Sequence, residues 1–260
     1  MPPKFPKVQR VELQQSPLVL VVCQIRFPAI VDLDERHPPG KFQRLLKFRY
    51  PVADIRQNLS LEVPQPEIVR ASREVFWSFE DPQREWTVSI GQRFLSLETK
   101  RYRTFNEFIK RFRAVLDAAR KVHPIEIRER IGLRYVDRIA RSDQDNKLPE
   151  DWPSRVNQNF IPLRSMRGSG EPQLANIETR FCFDGHVLAV RSAFVDKGFP
   201  GAPNDQLILD FDCYSEEKGE LSGINQLLEE FRSTCYNAFR HAVGDLIQCF
   251  GPVAKKRKPR

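Results

Sequence analysis

The sequence predicts an α+β protein made of two diverged copies of one unit, in which a strand, a short helix, three or four strands and a long helix follow one another. Three observations favour this fold class. The 260-residue chain is 40% hydrophobic, which is enough for a substantial core. Strand-like runs are followed twice by a long amphipathic pattern of helical period. The two series of elements start 111 residues apart, at Leu20 and Ile131.

The first series begins with a strand over 18–27, where β-branched and aromatic residues are frequent. A short amphipathic helix over 41–50 follows, and a proline ends it. Residues 59–70 predict only a weak strand, because Pro64 and Pro66 interrupt it. An antiparallel meander of three strands comes next, over 74–79, 85–90 and 93–99.

A long helix then has the clearest pattern in the chain. Thr104 is its expected N-cap, and Glu107 three residues later completes a capping box. The apolar residues recur at helical spacing and form one buried face. They are Phe105, Phe108, Ile109, Phe112, Val115, Leu116 and Ala119.

The second series repeats this order. A strand over 129–139 precedes a short helix over 152–160 and a polar loop over 164–173. Asp184 and Gly185 then give a strong hairpin signal between two strands. The remaining predicted elements are strands over 175–183, 187–195 and 207–214 and a final helix over 224–249.

Two pairs of matching segments support the duplication. Leu95–Tyr102 matches Leu207–Tyr214, and Phe105–Phe112 matches Ile224–Phe231. The alternative is that any two amphipathic helices look alike, since both need the same period. The duplication predicts one curved antiparallel sheet with both long helices on one face, a topology that resembles the TATA-binding-protein and helix-grip folds. The predicted divisions are an N-terminal arm over 1–15, units over 16–125 and 126–251, and a disordered basic tail over 252–260.

Charge and cysteine content favour a cytoplasmic protein. The net charge is +8, but the last six residues contribute five of these charges, so the remainder is close to balanced. The five cysteines are widely spaced and form no CxxC pair, which is typical of free thiols in a reducing compartment. No apolar run approaches the ~18 residues of a membrane span, and the N-terminus lacks the apolar core of a signal peptide.

The sequence contains no established catalytic motif. The patterns of phosphate-binding loops, dinucleotide-binding folds, zinc proteases and serine hydrolases are all missing. We therefore expect no catalytic residue and no cofactor, and we favour a protein that is not an enzyme. Asp210 and Asp212 are weak candidates for a metal site, because side chains two apart on a strand share a face. The alternative is an outward polar face of that strand.

Four arginines form the most suggestive charged pattern. They have even numbers around a strand whose odd positions are mainly apolar, so they should form a stripe on one sheet face. Such a stripe is suited to phosphate or acidic side chains, and the basic tail could contact nucleic acid as well. The alternative is a face whose arginines are solvated or paired with acidic residues of neighbouring strands. The candidate binding residues are Arg128, Arg130, Arg134, Arg138, Lys255, Lys256, Arg257 and Lys258.

Several segments resemble a sporadically distributed family of uncharacterised prokaryotic proteins of about 250 residues. The most specific is Arg130–Ile139, RIGLRYVDRI, in which Asp137 stands where the family more often has Asn. Pro17–Leu18 with Val22–Phe27, Trp86–Ile90 and Leu95–Tyr102 also match, and the basic tail lies outside the resemblance. The resemblance implies a bacterial cytoplasmic protein with an accessory role, such as in defence or toxin–antitoxin systems, and carries no catalytic residues.

Three functions follow from these patterns. The first is a non-catalytic binding module that docks a protein partner through the open sheet face or an exposed edge. The second is nucleic-acid binding through the arginine stripe and the tail. The third is a metal-dependent enzyme that uses Asp210 and Asp212. The sequence does not predict the oligomeric state.

Overall fold

A computed structural model describes residues 5–31, 33, 39–65, 68–141, 148–162, 173–183, 185–197, 199–200, 202 and 204–253, without the side chains of 58–74. Residues 164–172 of the predicted loop, Asp184 and the four basic tail residues lie outside the described residues. The helices are α1 (Gly40–Leu46), α2 (Phe105–Arg120), α3 (Trp152–Arg155) and α4 (Ile224–Val243), and two 3₁₀ helices cover Gln158–Phe160 and Gly244–Phe250. Among the described helices, none is long and apolar enough to cross a membrane.

The strands confirm the α+β class. They are β1 (Glu12–Leu13), β2 (Leu18–Arg26), β3 (Val52–Gln65), β4 (Ile68–Glu80), β5 (Trp86–Gly91), β6 (Phe94–Thr99), β7 (Ile127–Arg128), β8 (Arg130–Ala140), β9 (Leu174–Phe183), β10 (His186–Val195), β11 (Gln206–Ser215), β12 (Gly219–Glu220) and β13 (Pro252–Val253). Nine of them form a mostly antiparallel sheet in the order β3-β4-β5-β6-β2-β8-β11-β10-β9. The short strands form two further pairs, β1-β13 and β12-β7.

The chain divides into two compact units. The N-terminal unit contains Val21–Gly132 and Glu216–Asn225. The C-terminal unit contains Met1–Leu20, Leu133–Ser215 and Gln226–Arg260.

Helix α2 forms the core of the N-terminal unit with the meander. The Thr104 side chain accepts a hydrogen bond from the backbone N–H of Glu107 at 3.2 Å, as the capping box predicts. Phe108 and Phe112 are fully buried, and the Phe108 ring stacks on Trp86 with 5.9 Å between centroids. The guanidinium of Arg111 lies 4.2 Å from the Trp86 ring centroid, in a cation–π interaction.

The hairpin before the meander differs from the prediction. Instead of a weak strand over 59–70, β3 and β4 pair along almost their whole length, from Val52 opposite Glu80 to Gln65 opposite Ile68. The register shifts between Glu62 and Gln65. Because β3 is at the edge of the sheet and Pro64 falls at this irregularity, the missing proline N–H interrupts no central ladder.

Helix α4 forms the core of the C-terminal unit with the strands β8, β10 and β11. Phe231 is fully buried, and the Phe239 ring meets Phe211 edge to face at 6.5 Å. The final helix is shorter than the predicted 224–249. Gly244 has a φ of +49°, and this left-handed conformation ends the α-helix at Val243, after which a 3₁₀ helix continues.

The N-terminal segment lies along α4. Arg10 donates to Glu229 at 3.0 Å and to Ser233 at 2.8 Å, and the Val11 N–H donates to the Tyr236 hydroxyl at 3.0 Å. The pairing of β1 with β13 then joins this segment to the residues that follow the 3₁₀ helix.

Candidate functional site

The C-terminal unit presents one face of its strands that α4 does not cover, and we call it the open face. Its side chains lie opposite to the buried residues that pack on α4, because side chains alternate along each strand. Most of them are half-buried or exposed. They include Arg134, Val136 and Arg138 on β8, Ile208, Asp210, Asp212 and Tyr214 on β11, Val187, the buried Ala189, Arg191, Ala193 and Val195 on β10, and Leu174, Asn176, Glu178, Arg180 and Cys182 on β9.

A row of alternating charges crosses the centre of the open face. Arg134 holds Asp210 with two parallel hydrogen bonds, of 2.8 Å from Nε and 2.7 Å from an Nη. Arg191 lies opposite both Asp210 and Glu178 in the strand register. It donates to Asp210 at 3.4 Å and to Glu178 at 2.9 Å. Arg180 ends the row with a 2.8 Å bond to Glu178.

Burial is uneven along this row. The Asp210 side chain is only 7% exposed, whereas those of Arg134 and Arg191 are 43% and 39% exposed. A carboxylate at this depth needs ionic partners, and here two guanidinium groups supply them. At the outer end, hydrogen bonds from Arg180 and Arg191 hold the pKa of the Glu178 carboxyl below its usual value. In this row, three guanidinium groups thus share two carboxylates.

Apolar side chains flank the charged row. Ile208 and Ala193 lie opposite each other on one side of it, and Val195 lies beyond them. Val187 and Tyr214 pair on the other side. All five are half-buried, so they expose part of their apolar surface. The open face thus combines compensated charge with accessible aliphatic and aromatic groups.

The structure separates the four predicted arginines. The alternation on β8 is as predicted, since Ile131, Leu133 and Ile139 are buried. Arg134 belongs to the charged row, and Arg138 is exposed. Arg128 is in the N-terminal unit, where β7 pairs with β12 and its guanidinium donates to the Glu217 carbonyl oxygen. Arg130, half-buried, is in the N-terminal unit as well. The interpretation that favoured acidic partners on neighbouring strands therefore holds for Arg134.

The two aspartates proposed as metal ligands share the open face as predicted. Asp210, however, has both carboxylate oxygens engaged by arginine. Among the described residues, no group of three or more His, Cys, Asp or Glu side chains could hold a metal ion. An ion at Asp210 would have to displace Arg134 from a bidentate pair, so this arrangement favours a salt bridge over a metal site.

Sequence reasoning missed a buried carboxyl group on the other side of β8. Asp137 is 5% exposed, and burial raises its pKa from 3.8 to about 8. At neutral pH most molecules therefore carry a proton on this side chain. The sequence contains a signal for this burial: Asp137 has an odd residue number, like the buried Ile131, Leu133 and Ile139, and alternate residues of a strand share a face. A neutral Asp137 has nearly the shape and polarity of Asn.

A cavity of about 430 Å³ lies between β9, β10, α4 and the N-terminal segment. Phe5, Phe160 and Phe181 line it together with Ser192 and His241. The buried Ser192 hydroxyl has no hydrogen-bond partner in the described structure, and the Nε2 atom of His241 contacts the Asn157 amide at 3.2 Å. Ser192 and His241 therefore do not form the hydrogen-bonded pair that activates a serine nucleophile.

No protein-family model matches this sequence, and no curated protein is significantly similar to it.

Proposed function

We propose that this protein is a non-catalytic binding module that docks a protein partner on the open face of its C-terminal unit. One observation carries the proposal: the charges of this face are compensated by Asp210 between Arg134 and Arg191, and apolar side chains remain accessible on both sides. Protein interfaces combine an apolar centre with few unpaired charges. The proposed partner has an apolar patch, with carboxylates near it to meet the exposed Arg138.

The same compensation argues against nucleic acid as the main ligand. Affinity for nucleic acid comes from cations that neutralise phosphates and release counterions. Arg134 and Arg191 already neutralise Asp210 and Glu178, so a phosphate would compete with the buried Asp210 carboxylate and with that of Glu178. Nucleic-acid binding is therefore the less favoured function, and it would appear as captured material that absorbs at 260 nm.

The proposal includes an origin and a cellular setting. The order strand, short helix, meander and long helix occurs from β2 to α2 and again from β8 to α4, which supports an internal duplication of the kind predicted. In the sheet, β2, β6, β5 and β4 follow one another outward, as do β8, β11, β10 and β9. We place the module in a bacterial cytoplasmic accessory system, of the defence or toxin–antitoxin type, on the resemblance of Arg130–Ile139.

Charge substitution on the open face tests the proposal. Ala193 is half-buried and lies beside Arg191 on the same face. Ala193→Glu and Ala193→Arg both place a long charged side chain where the partner's apolar patch would sit. Gln226, exposed on α4, receives the same two substitutions as a matched control. Each variant is immobilised and used to capture ligands from a lysate of the native organism, and the eluates are scored for polypeptides and for absorbance at 260 nm.

We expect both Ala193 variants to lose the polypeptide that the wild-type protein captures, and both Gln226 variants to keep it. The sign of the new charge should not matter, because the damage is to apolar contact. A ligand absorbing at 260 nm that increases with Ala193→Arg and decreases with Ala193→Glu would instead identify nucleic acid. Retention of the polypeptide by both Ala193 variants would place docking elsewhere.

A further inference from the structure

Strand β9, in the C-terminal unit, is the outermost strand at one end of the nine-stranded sheet. All ten of its residues pair with β10 without an irregularity, from Leu174 opposite Val195 to Phe183 opposite His186. In the strand order of the described residues, no strand pairs with its other edge. A long regular edge strand is a template for pairing with another chain unless charge, proline or a bulge prevents it. The sequence of β9, LANIETRFCF, contains no proline or lysine.

The residues of β9 are self-complementary about Thr179. Glu178 precedes it and Arg180 follows it, and Ile177 and Phe181 lie one step further out. If a second copy of β9 runs antiparallel with Thr179 opposite Thr179, each Glu178 lies opposite Arg180 of the second copy. Each Ile177, 37% exposed in the single chain, lies opposite Phe181 of the second copy. We infer that β9 pairs in this way with β9 of a second copy of the chain.

Symmetry and charge together select this register. Residues that lie opposite each other in an antiparallel sheet point to the same face. In a pair of strands related by a two-fold axis, one residue must therefore lie opposite its own copy, and the axis runs between the two. A shift of the axis to residue 178 would place two Glu178 carboxylates together, and a shift to residue 180 would place two Arg180 guanidinium groups together. Like charges directly opposite one another destabilise a sheet, whereas opposite charges stabilise it. Only the register centred on Thr179 gives two attractive pairs.

The existing ion pairs are compatible with this pairing. Arg180 now bonds Glu178 of its own strand at 2.8 Å, and its side chain is 64% exposed and can reach across the new junction. Glu178 keeps its 2.9 Å bond to Arg191 through its other carboxylate oxygen. The pairing uses the strand edge, so it is independent of docking on the open face.

Charge reversal provides the first test. Arg180→Glu replaces two attractive pairs across the junction by two repulsive ones, and Arg113→Glu, exposed on α2, is the matched control. Sedimentation equilibrium of the full chain should show a dimer for the wild type and for Arg113→Glu. The dissociation constant of Arg180→Glu should be roughly tenfold or more larger. A wild-type protein that stays monomeric into the high micromolar range would overturn the inference.

A cysteine pair tests the register without touching the charges. Cys182 is exposed, and Asn176 lies opposite it across the proposed junction, because both are three residues from Thr179. Within one strand these positions are about 20 Å apart, too far for a disulfide. Asn176→Cys should therefore give a covalent dimer on mild oxidation, whereas the wild type gives none. Leu174→Cys also keeps the charges and would crosslink to Cys182 in the register centred on residue 178, so a covalent dimer from that variant instead would contradict the assignment.

Discussion

Because the Asp137 carboxyl group is buried and neutral, the free energy of unfolding of this protein should depend on pH in a way that can be calculated. Burial raises its pKa from 3.8 to about 8, so folding takes up a proton between these two values. Because the folded pKa is the higher one, the full stability is present below about pH 4 and falls as the pH rises. The loss continues at about 1.4 kcal/mol per pH unit until the folded pKa is passed near pH 8. At pH 7 the cost is about 4 kcal/mol.

Asp137→Asn removes this dependence, since the amide has a similar shape and carries no charge at any of these pH values. We expect the stability difference between variant and wild type to increase by about 3–4 kcal/mol from pH 5 to pH 8 in favour of Asn. Burying the amide adds an offset that does not change with pH, so the slope is the diagnostic quantity. Urea unfolding followed by circular dichroism at several pH values measures it.

Asp245→Asn is the matched control, because Asp245 is exposed in the 3₁₀ helix Gly244–Phe250. Its stability profile should run parallel to that of the wild type. Parallel profiles for Asp137→Asn and the wild type across pH 5–8 would refute the assignment of a buried, neutral carboxyl group at this position.

Three further substitutions test other parts of the structure by denaturant unfolding. Arg134→Ala leaves the Asp210 carboxylate with only the longer 3.4 Å contact, and should lower the free energy of unfolding by about 1–3 kcal/mol. The loss should be smaller in the double variant that also replaces Asp210 by Ala, because no buried carboxylate is then left without a partner. Gly251→Ala should cost about 1–2 kcal/mol, because the residue has a φ of +63° and a new Cβ would approach Gln14 to 3.1 Å. Thr104→Ala removes the N-cap of α2 and should cost about 1 kcal/mol, whereas Thr104→Ser should cost little.

The fold could be predicted where one element has a strong local pattern. The capping box and apolar stripe of α2 and the alternation on β8 depend only on neighbouring residues, and the structure agrees with both. The prediction was wrong where one residue's conformation decides the outcome. Gly244 adopts a left-handed conformation that ends α4 early, and the irregularity near Pro64 lets β3 continue through a residue that normally interrupts strands.

The site was predicted only in part, because its chemistry depends on register. The parity of Arg134 placed it on the correct face, and Asp210 was known to share a face with Asp212. Their pairing joins residues 76 positions apart, and no local pattern specifies which strands become neighbours. The two residues were therefore assigned to competing functions, an anion site and a metal site, whereas the structure joins them in one salt bridge.

Identification of the molecule that contacts the open face tests directly whether a protein partner docks there. A photo-reactive benzoylphenylalanine at Ala193 reports contacts on that face, and the same group at Gln226 reports contacts on the exposed side of α4. After irradiation in cells of the native organism, a discrete polypeptide adduct should form from position 193 and not from position 226. A nucleic-acid adduct at position 193, or a polypeptide adduct from position 226 alone, would contradict docking of a protein partner on the open face.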